Sequence, residues 1–152
     1  MTYEFQEMTQ DQADEIAFNW HYDGDYSFYD MEADEEDLNE FINPYERKNY
    51  YAVIQNDDLI GFFSFNKQGE FIDIGLGMRP DLTGSGNGLE FLQAGMDFAK
   101  STFNSSKFSL SVATFNQRAI KVYEKTGFKQ VNTFMQETNG STYEFVRMEL
   151  NG

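Results

Sequence analysis

Residues 78–88 read Met-Arg-Pro-Asp-Leu-Thr-Gly-Ser-Gly-Asn-Gly, and no other stretch constrains this chain as strongly. An apolar, strand-like run, Phe71-Ile72-Asp73-Ile74-Gly75-Leu76-Gly77-Met78, leads into it. An amphipathic helix leads out, with Leu89, Leu92, Met96 and Ala99 expected on its inward face. Glycines at 84, 86 and 88 leave a row of backbone N–H groups without side-chain cover. The start of the helix adds its partial positive charge, so a strand–loop–helix of this kind is suited to an anion, phosphate above all. An ordinary glycine-rich turn has the same composition, and the loop by itself leaves both readings open.

Two familiar phosphate loops do not fit. A P-loop ends in Gly-Lys-Ser/Thr, and no lysine follows these glycines. The dinucleotide fingerprint G-x-G-x-x-G finds Leu89 where its third glycine belongs. The segment instead resembles the pyrophosphate loop of the GCN5-related N-acetyltransferases (the GNAT family), Gln/Arg-x-x-Gly-x-Gly/Ala. Thr83-Gly84-Ser85-Gly86-Asn87-Gly88 follows that pattern, with Pro80 upstream and Thr83 where the family usually has Gln or Arg. A second segment strengthens the likeness. Residues 116–128 carry Asn116, Ala119, Tyr123, Gly127 and Phe128 at the family's spacing, after the strand-like Phe108–Ala113. Physically, Asn116 is a good N-cap and Gly127 a good residue to end the helix, with Ala119, Val122 and Tyr123 on one face. A short capped helix would also read so; the two motifs together, at this separation, carry the resemblance over about residues 50–150.

Bulk properties bound the alternatives. With 152 residues, 40% hydrophobic and including sixteen Phe and nine Tyr, the chain is expected to be one domain, 1–152, with a real core. No run reaches membrane-span length and no basic-plus-apolar leader opens the chain, so a cytoplasmic location is expected. The absence of cysteine excludes disulfides, a thiolate nucleophile and Cys-ligated metal, and a single histidine argues against a zinc site; no metal is expected. A net charge of −15 argues against nucleic acid and anionic membrane as partners. No Lys or Arg precedes Arg47, and Asp34-Glu35-Glu36-Asp37 is either a solvated helix start or part of a field that draws in a cationic amine.

The remaining elements follow from pattern. Residues 3–7 suit a strand, and Thr9 with Gln12 forms a capping box before a helix bearing Ala13, Ile16, Ala17 and Trp20. A polar-aromatic loop runs over 21–29, and a helix over 34–42 turns Leu38, Phe41 and Ile42 inward. Strands at 50–55 and 59–66 meet at Asn56-Asp57-Asp58, and Gln68-Gly69 turns into the strand ending at Met78. Strand 107–113, helix 117–125 and strands 128–137 and 141–150 follow, the last two joined by an Asn139-Gly140 hairpin turn. The order β-α-α-β-β-β-α-β-α-β-β is the one the resemblance implies. The expected fold is the α/β acyl-CoA N-acyltransferase fold, with a mixed, mainly antiparallel sheet.

The resemblance also implies a chemistry. Acetyl-CoA would be the cosubstrate, its pantetheine arm entering where the fourth strand splays from the next and pairing with backbone at Leu76 and Met78. Its pyrophosphate would meet the N–H groups of Gly84, Ser85, Gly86, Asn87, Gly88 and Leu89, after Thr83, with the thioester near Asn116 and Tyr123. The acceptor would be a primary amine, on a small molecule or a protein, attacking directly in a ternary complex. A backbone N–H near Met78 would stabilise the oxyanion. Tyr123 is the candidate acid: a phenol, with an ordinary pKa of about 10, stays protonated at neutral pH and can donate to the departing thiolate. Asp73 is the candidate base, with Glu70 or a water relay as substitutes. The strand before the Asn116 helix reads Ser109-Leu110-Ser111-Val112, so the glutamate some relatives carry there is absent. The acceptor site is expected between the first two helices and the last hairpin. There Trp20, Tyr22 and Tyr26, with Asp23 and Asp25, offer ring faces and carboxylates to an ammonium group. His21 is expected to be structural or exposed. A monomer or homodimer is compatible with the sequence. Two other readings stay open, an acyl-CoA sensor without turnover and an interaction protein with an acidic face.

Overall fold

The computed structural model describes residues 3–22, 24–45, 48–83 and 86–151, and of Asp25 and Glu32 the backbone alone. In chain order they form β1 (Glu4–Glu7), α1 (Gln10–Asn19), α2 (Glu35–Ile42), β2 (Tyr50–Gln55), β3 (Asp58–Gln68) and β4 (Phe71–Met78). There follow α3 (Gly88–Phe103), β5 (Phe108–Ala113), α4 (Gln117–Thr126), β6 (Lys129–Thr138) and β7 (Ser141–Leu150). The strands are hydrogen-bonded in the order β1-β2-β3-β4-β5-β7-β6. The β4–β5 pairing is parallel, whereas β1–β2, β2–β3 and β5–β7 are antiparallel, so the sheet is mixed and mainly antiparallel as expected. No described helix is long and apolar enough to cross a membrane.

Contacts group the chain into two compact units. The first comprises Met1–Ser64, Leu76–Leu82 and Glu137–Ser141. Its α1 opens with the expected capping box: Thr9 Oγ1 accepts the Gln12 N–H at 3.2 Å, and Gln12 Oε1 accepts the Thr9 N–H at 3.0 Å. Such a cap is worth about 1 kcal/mol. Ala13, Ile16, Ala17 and Trp20 are buried with Phe41 of α2 and Phe62 of β3, and Leu38 and Ile42 pack against them. The Phe41 ring meets Phe62 and Tyr50 edge-on, at 5.5 and 5.4 Å between centroids. Asn56 and Asp57 take positive φ values of 52° and 67°, the geometry a tight hairpin turn requires and Asn/Asp tolerate. The register of β2 against β3 skips Ile60, whose carbonyl accepts the Arg79 N–H at 2.8 Å just past the end of β4.

The second unit comprises Phe65–Gly75, Thr83–Gln136 and Thr142–Gly152. Its core is built from Phe65, Phe91, Leu92, Met96, Phe108, Leu110, Val146 and Met148, each no more than 2% exposed. At about 1.5–3 kcal/mol for each large side chain fully buried, these dominate the unit's stabilisation.

Sequence pattern and structure part at three places. Leu89, expected inward, is 42% exposed because it stands in the first turn of α3, and Phe91 takes the buried position. The α4 residue that sinks into the core is Ile120, while Ala119, Val122 and Tyr123 stay half-buried. Within the expected loop 21–29, Gly24–Tyr29 winds into a 3-10 segment, followed by another at Met31–Ala33.

Candidate active site

In the second unit, the glycine loop reaches α3 through Gly86, which is exposed and has φ +86°. A Cβ built there would meet no heavy atom within 4 Å, so the space beside the loop is open. Asn87, at the helix N-cap, makes no side-chain cap, so the first N–H groups of α3, which have no intrahelical acceptor, are not taken by it. A helix start beside open space is the kind of place that suits an anion. Gly84 and Ser85 lie outside the described residues, and Thr83 is half-buried at the loop's entry.

The parallel ladder between β4 and β5 consists of two residue pairs, Ile72 with Phe108 and Asp73 with Ser109. From Phe108 to Ala113, in contrast, β5 pairs with β7 along its full length. The ladder therefore ends at Asp73, the candidate base. One Asp73 carboxylate oxygen accepts the Ser109 hydroxyl at 2.9 Å, and Ser109 is wholly buried. Desolvation pushes the Asp73 carboxyl above its ordinary value, while the Ser109 hydrogen bond and the Arg147 charge work against that rise. Arg147 is held by Glu149 at 2.9 Å and lies over the Phe71 ring, 5.9 Å from its centroid. Glu70, the substitute base, is instead paired with Lys107 at 3.2 Å.

The second motif forms the capped helix its residues imply. Asn116 Oδ1 accepts the Ala119 N–H at 3.2 Å, so that oxygen serves the cap of α4. Gly127 closes the helix at φ +111°, a conformation glycine adopts without strain. Tyr123 lies half-buried between these ends, its ring 6.2 Å from that of Phe128, and its carbonyl accepts the Phe128 N–H at 3.0 Å.

The first unit carries the candidate acceptor wall and the end of β4. Trp20 is 4% exposed and stacks at a tilt on Phe62 in the core. Tyr26 is half-buried in the 3-10 segment and His21 is exposed. Asp23 lies outside the described residues, as does the side chain of Asp25. Tyr22 is tied at both ends: its N–H donates to Asp30 Oδ1 at 2.8 Å and its hydroxyl to the Met78 carbonyl at 2.7 Å. Burial first, and the Asp30 charge second, hold this phenol well above its usual range, so it stays a neutral donor. The position expected to face an ammonium group thus also fixes the peptide at the end of β4. Gly77, beside it, has no room for a side chain, since a Cβ would come within 2.5 Å of the Phe62 ring. Sequence reasoning did not foresee the Tyr22–Met78 or Asp73–Ser109 bonds. Their partners lie 56 and 36 residues apart, and no local pattern joins them.

The family model for the acetyltransferase (GNAT) domain matches residues 4–129. No curated protein matches the sequence. Among solved structures, the chain is similar to an acetyltransferase of the GNAT family from Bacillus anthracis, at 18% identity and a TM-score of 0.76, covering 98% of this chain and 94% of that one. It is also similar to the spermidine N-acetyltransferase from Vibrio cholerae in complex with CoA and spermine, at 20% identity and a TM-score of 0.75, covering 97% and 94%. At such identities the structural likeness concerns the fold.

Proposed function

The chain belongs to the GNAT family of acetyltransferases, and from that premise we propose that it transfers the acetyl group of acetyl-CoA to a primary amine by direct attack in a ternary complex. The observation that carries the reading is the open space beside Gly86, which holds φ +86° just before the start of α3. In this reading residues 1–152 act as one cytoplasmic acetyltransferase domain. The N–H groups of 84–89 hold the pyrophosphate, Leu76 and Met78 offer β4 backbone to the pantetheine arm, and Asn116 and Tyr123 flank the thioester. Asp73, directly or through a water, takes the proton of the arriving ammonium group, since only the neutral amine attacks. The oxyanion formed at the carbonyl is stabilised by a backbone N–H near Met78. Tyr123 returns a proton to the departing thiolate.

A cationic acceptor is supported by the net charge of −15 and by the spermine bound in the similar Vibrio cholerae enzyme. Trp20, Tyr22 and Tyr26 are its proposed surroundings. The test is release of free CoA thiol with a panel of acceptors: polyamines such as spermine, simple primary amines, and peptides bearing a lysine or a free N-terminus. We expect turnover with at least one primary amine and none with a tertiary amine. Saturable acetyl-CoA binding without any release would replace the reading with a sensor; no binding at all would replace it with an interaction protein.

Asp73→Asn should lower the rate at neutral pH while acetyl-CoA affinity holds. The parent's rate should fall as pH drops through the Asp73 value, which burial places above the ordinary carboxylate value of about 3.9. In the variant this limb disappears and activity recovers with rising pH, as more amine arrives already neutral. A pH–rate profile identical to the parent's would assign deprotonation to solvent.

A further inference from the structure

In the first unit Asp34 joins the start of α2 to the tip of the last hairpin, more than a hundred residues further along the chain. One carboxylate oxygen accepts the Asp37 N–H at 3.0 Å and so caps α2. The other accepts the Asn139 N–H at 2.9 Å and the Thr138 hydroxyl at 3.1 Å, both from the tip of the last hairpin. Asn139 passes the tie onward: its side-chain amide donates to the Phe28 carbonyl at 2.9 Å, in the 3-10 segment that also carries Tyr26. Asn139 has φ +51°, so the turn itself presents its N–H and its side chain together. The Asn139 N–H foremost, then the Asp37 N–H, with a smaller contribution from the Thr138 hydroxyl, hold the Asp34 carboxyl below its usual range. It is therefore an ionised, acceptor-only group at neutral pH.

We propose that Asp34 and Asn139 form a latch that positions the acceptor-binding segment 24–29 against α2 and the hairpin tip, making both positioning residues for the amine rather than for acetyl-CoA. This rests on the acceptor-site reading above. Nothing else in the α2 start demands the arrangement, because Asp34 needs only one oxygen to cap its helix. The second oxygen accepts from the hairpin tip. Each tie is one hydrogen bond, so each is worth about a 2- to 10-fold effect on an equilibrium that depends on it.

Two substitutions separate the latch from the cap. Asp34→Asn keeps an oxygen for the Asp37 N–H, and Asn is as good an N-cap as Asp. Its amide nitrogen, however, faces the Asn139 N–H donor to donor. Asn139→Gly keeps the positive φ and the N–H bond to Asp34 but removes the link to Phe28. Both variants should raise KM for the fastest amine of the panel, spermine included, by about 2- to 10-fold, with kcat and acetyl-CoA affinity near the parent's. Both should also speed amide exchange at residues 27–33, where the Asp30 and Ala33 N–H groups close the 3-10 turns, and leave α3 unchanged. Unchanged exchange in both variants would overturn the latch whether or not an acceptor is found. Faster exchange with an unchanged amine KM would overturn its positioning role. A parent enzyme without turnover on any amine would overturn the acetyltransferase reading instead, and the exchange result would still decide the latch.

Discussion

Replacing Tyr123 with phenylalanine should lower the rate of acetyl transfer by about 10²–10⁴-fold, the usual contribution of a general acid to a chemistry-limited step. The substitution removes one oxygen and keeps the ring that lies 6.2 Å from Phe128 on the half-buried side of α4. The caps that shape the helix, Asn116 at one end and Gly127 at the other, are untouched. Stability should therefore change by no more than a single hydrogen bond, about 1 kcal/mol, and acetyl-CoA affinity should hold. The distinctive outcome is a fall in kcat with binding intact, because the proton is needed only as the thiolate departs. Calorimetric titration with acetyl-CoA beside a thiol-release assay measures both halves. A Phe variant that turns over like the parent would make Tyr123 a packing residue and send the acid role to solvent.

The second large effect is expected at Gly86. Gly86→Val should weaken acetyl-CoA binding by about 10²-fold for two separate reasons. Valine at φ +86° sits where L residues are strained, at a cost of about 1–3 kcal/mol, so the loop would relax away from its present course. Its Cβ would also project into space that no protein atom occupies within 4 Å, the space a pyrophosphate must enter to reach the backbone donors. Each charge-assisted hydrogen bond lost there adds about 1.5–3 kcal/mol. Because that space is empty of protein, the fold should survive the change, and a melt lowered only by the several degrees that this strain costs would show that the larger loss belongs to binding. Undiminished affinity in such a folded variant would remove the glycine loop from the cofactor site.

How far the sequence reaches is clearest where structure is made locally. The Thr9–Gln12 capping box, the Asn116 and Gly127 caps and the Asn139-Gly140 turn are all formed as read, and the turn read over Asn56-Asp57-Asp58 forms at Asn56-Asp57 with Asp58 already in β3. Each depends on residues within one turn of one another, with side-chain chemistry that allows few alternatives. The inward positions of α1 were legible for a related reason: Ala13, Ile16, Ala17 and Trp20 repeat at helical spacing, and a single stripe must face the core. Leu89 shows where this stops. It has the right spacing, but burial depends on what lies opposite, and the first turn of α3 leaves it 42% exposed.

The sequence by itself determined the order of elements and the family, because the glycine loop and the Asn116–Phe128 helix are contiguous patterns whose spacing is their meaning. Only the tertiary structure decided which polar groups meet. That the Asp73 ladder stops at Ser109, that Tyr22 ends on the Met78 carbonyl, and that Asp34 shares its carboxylate between a helix and a hairpin tip are facts of strand register and packing. A one-residue slip in register turns a side chain to the other face of a sheet, so such meetings are set by the whole fold at once. The residues were visible in the sequence; their partners, 36, 56 and 105 positions away, were not.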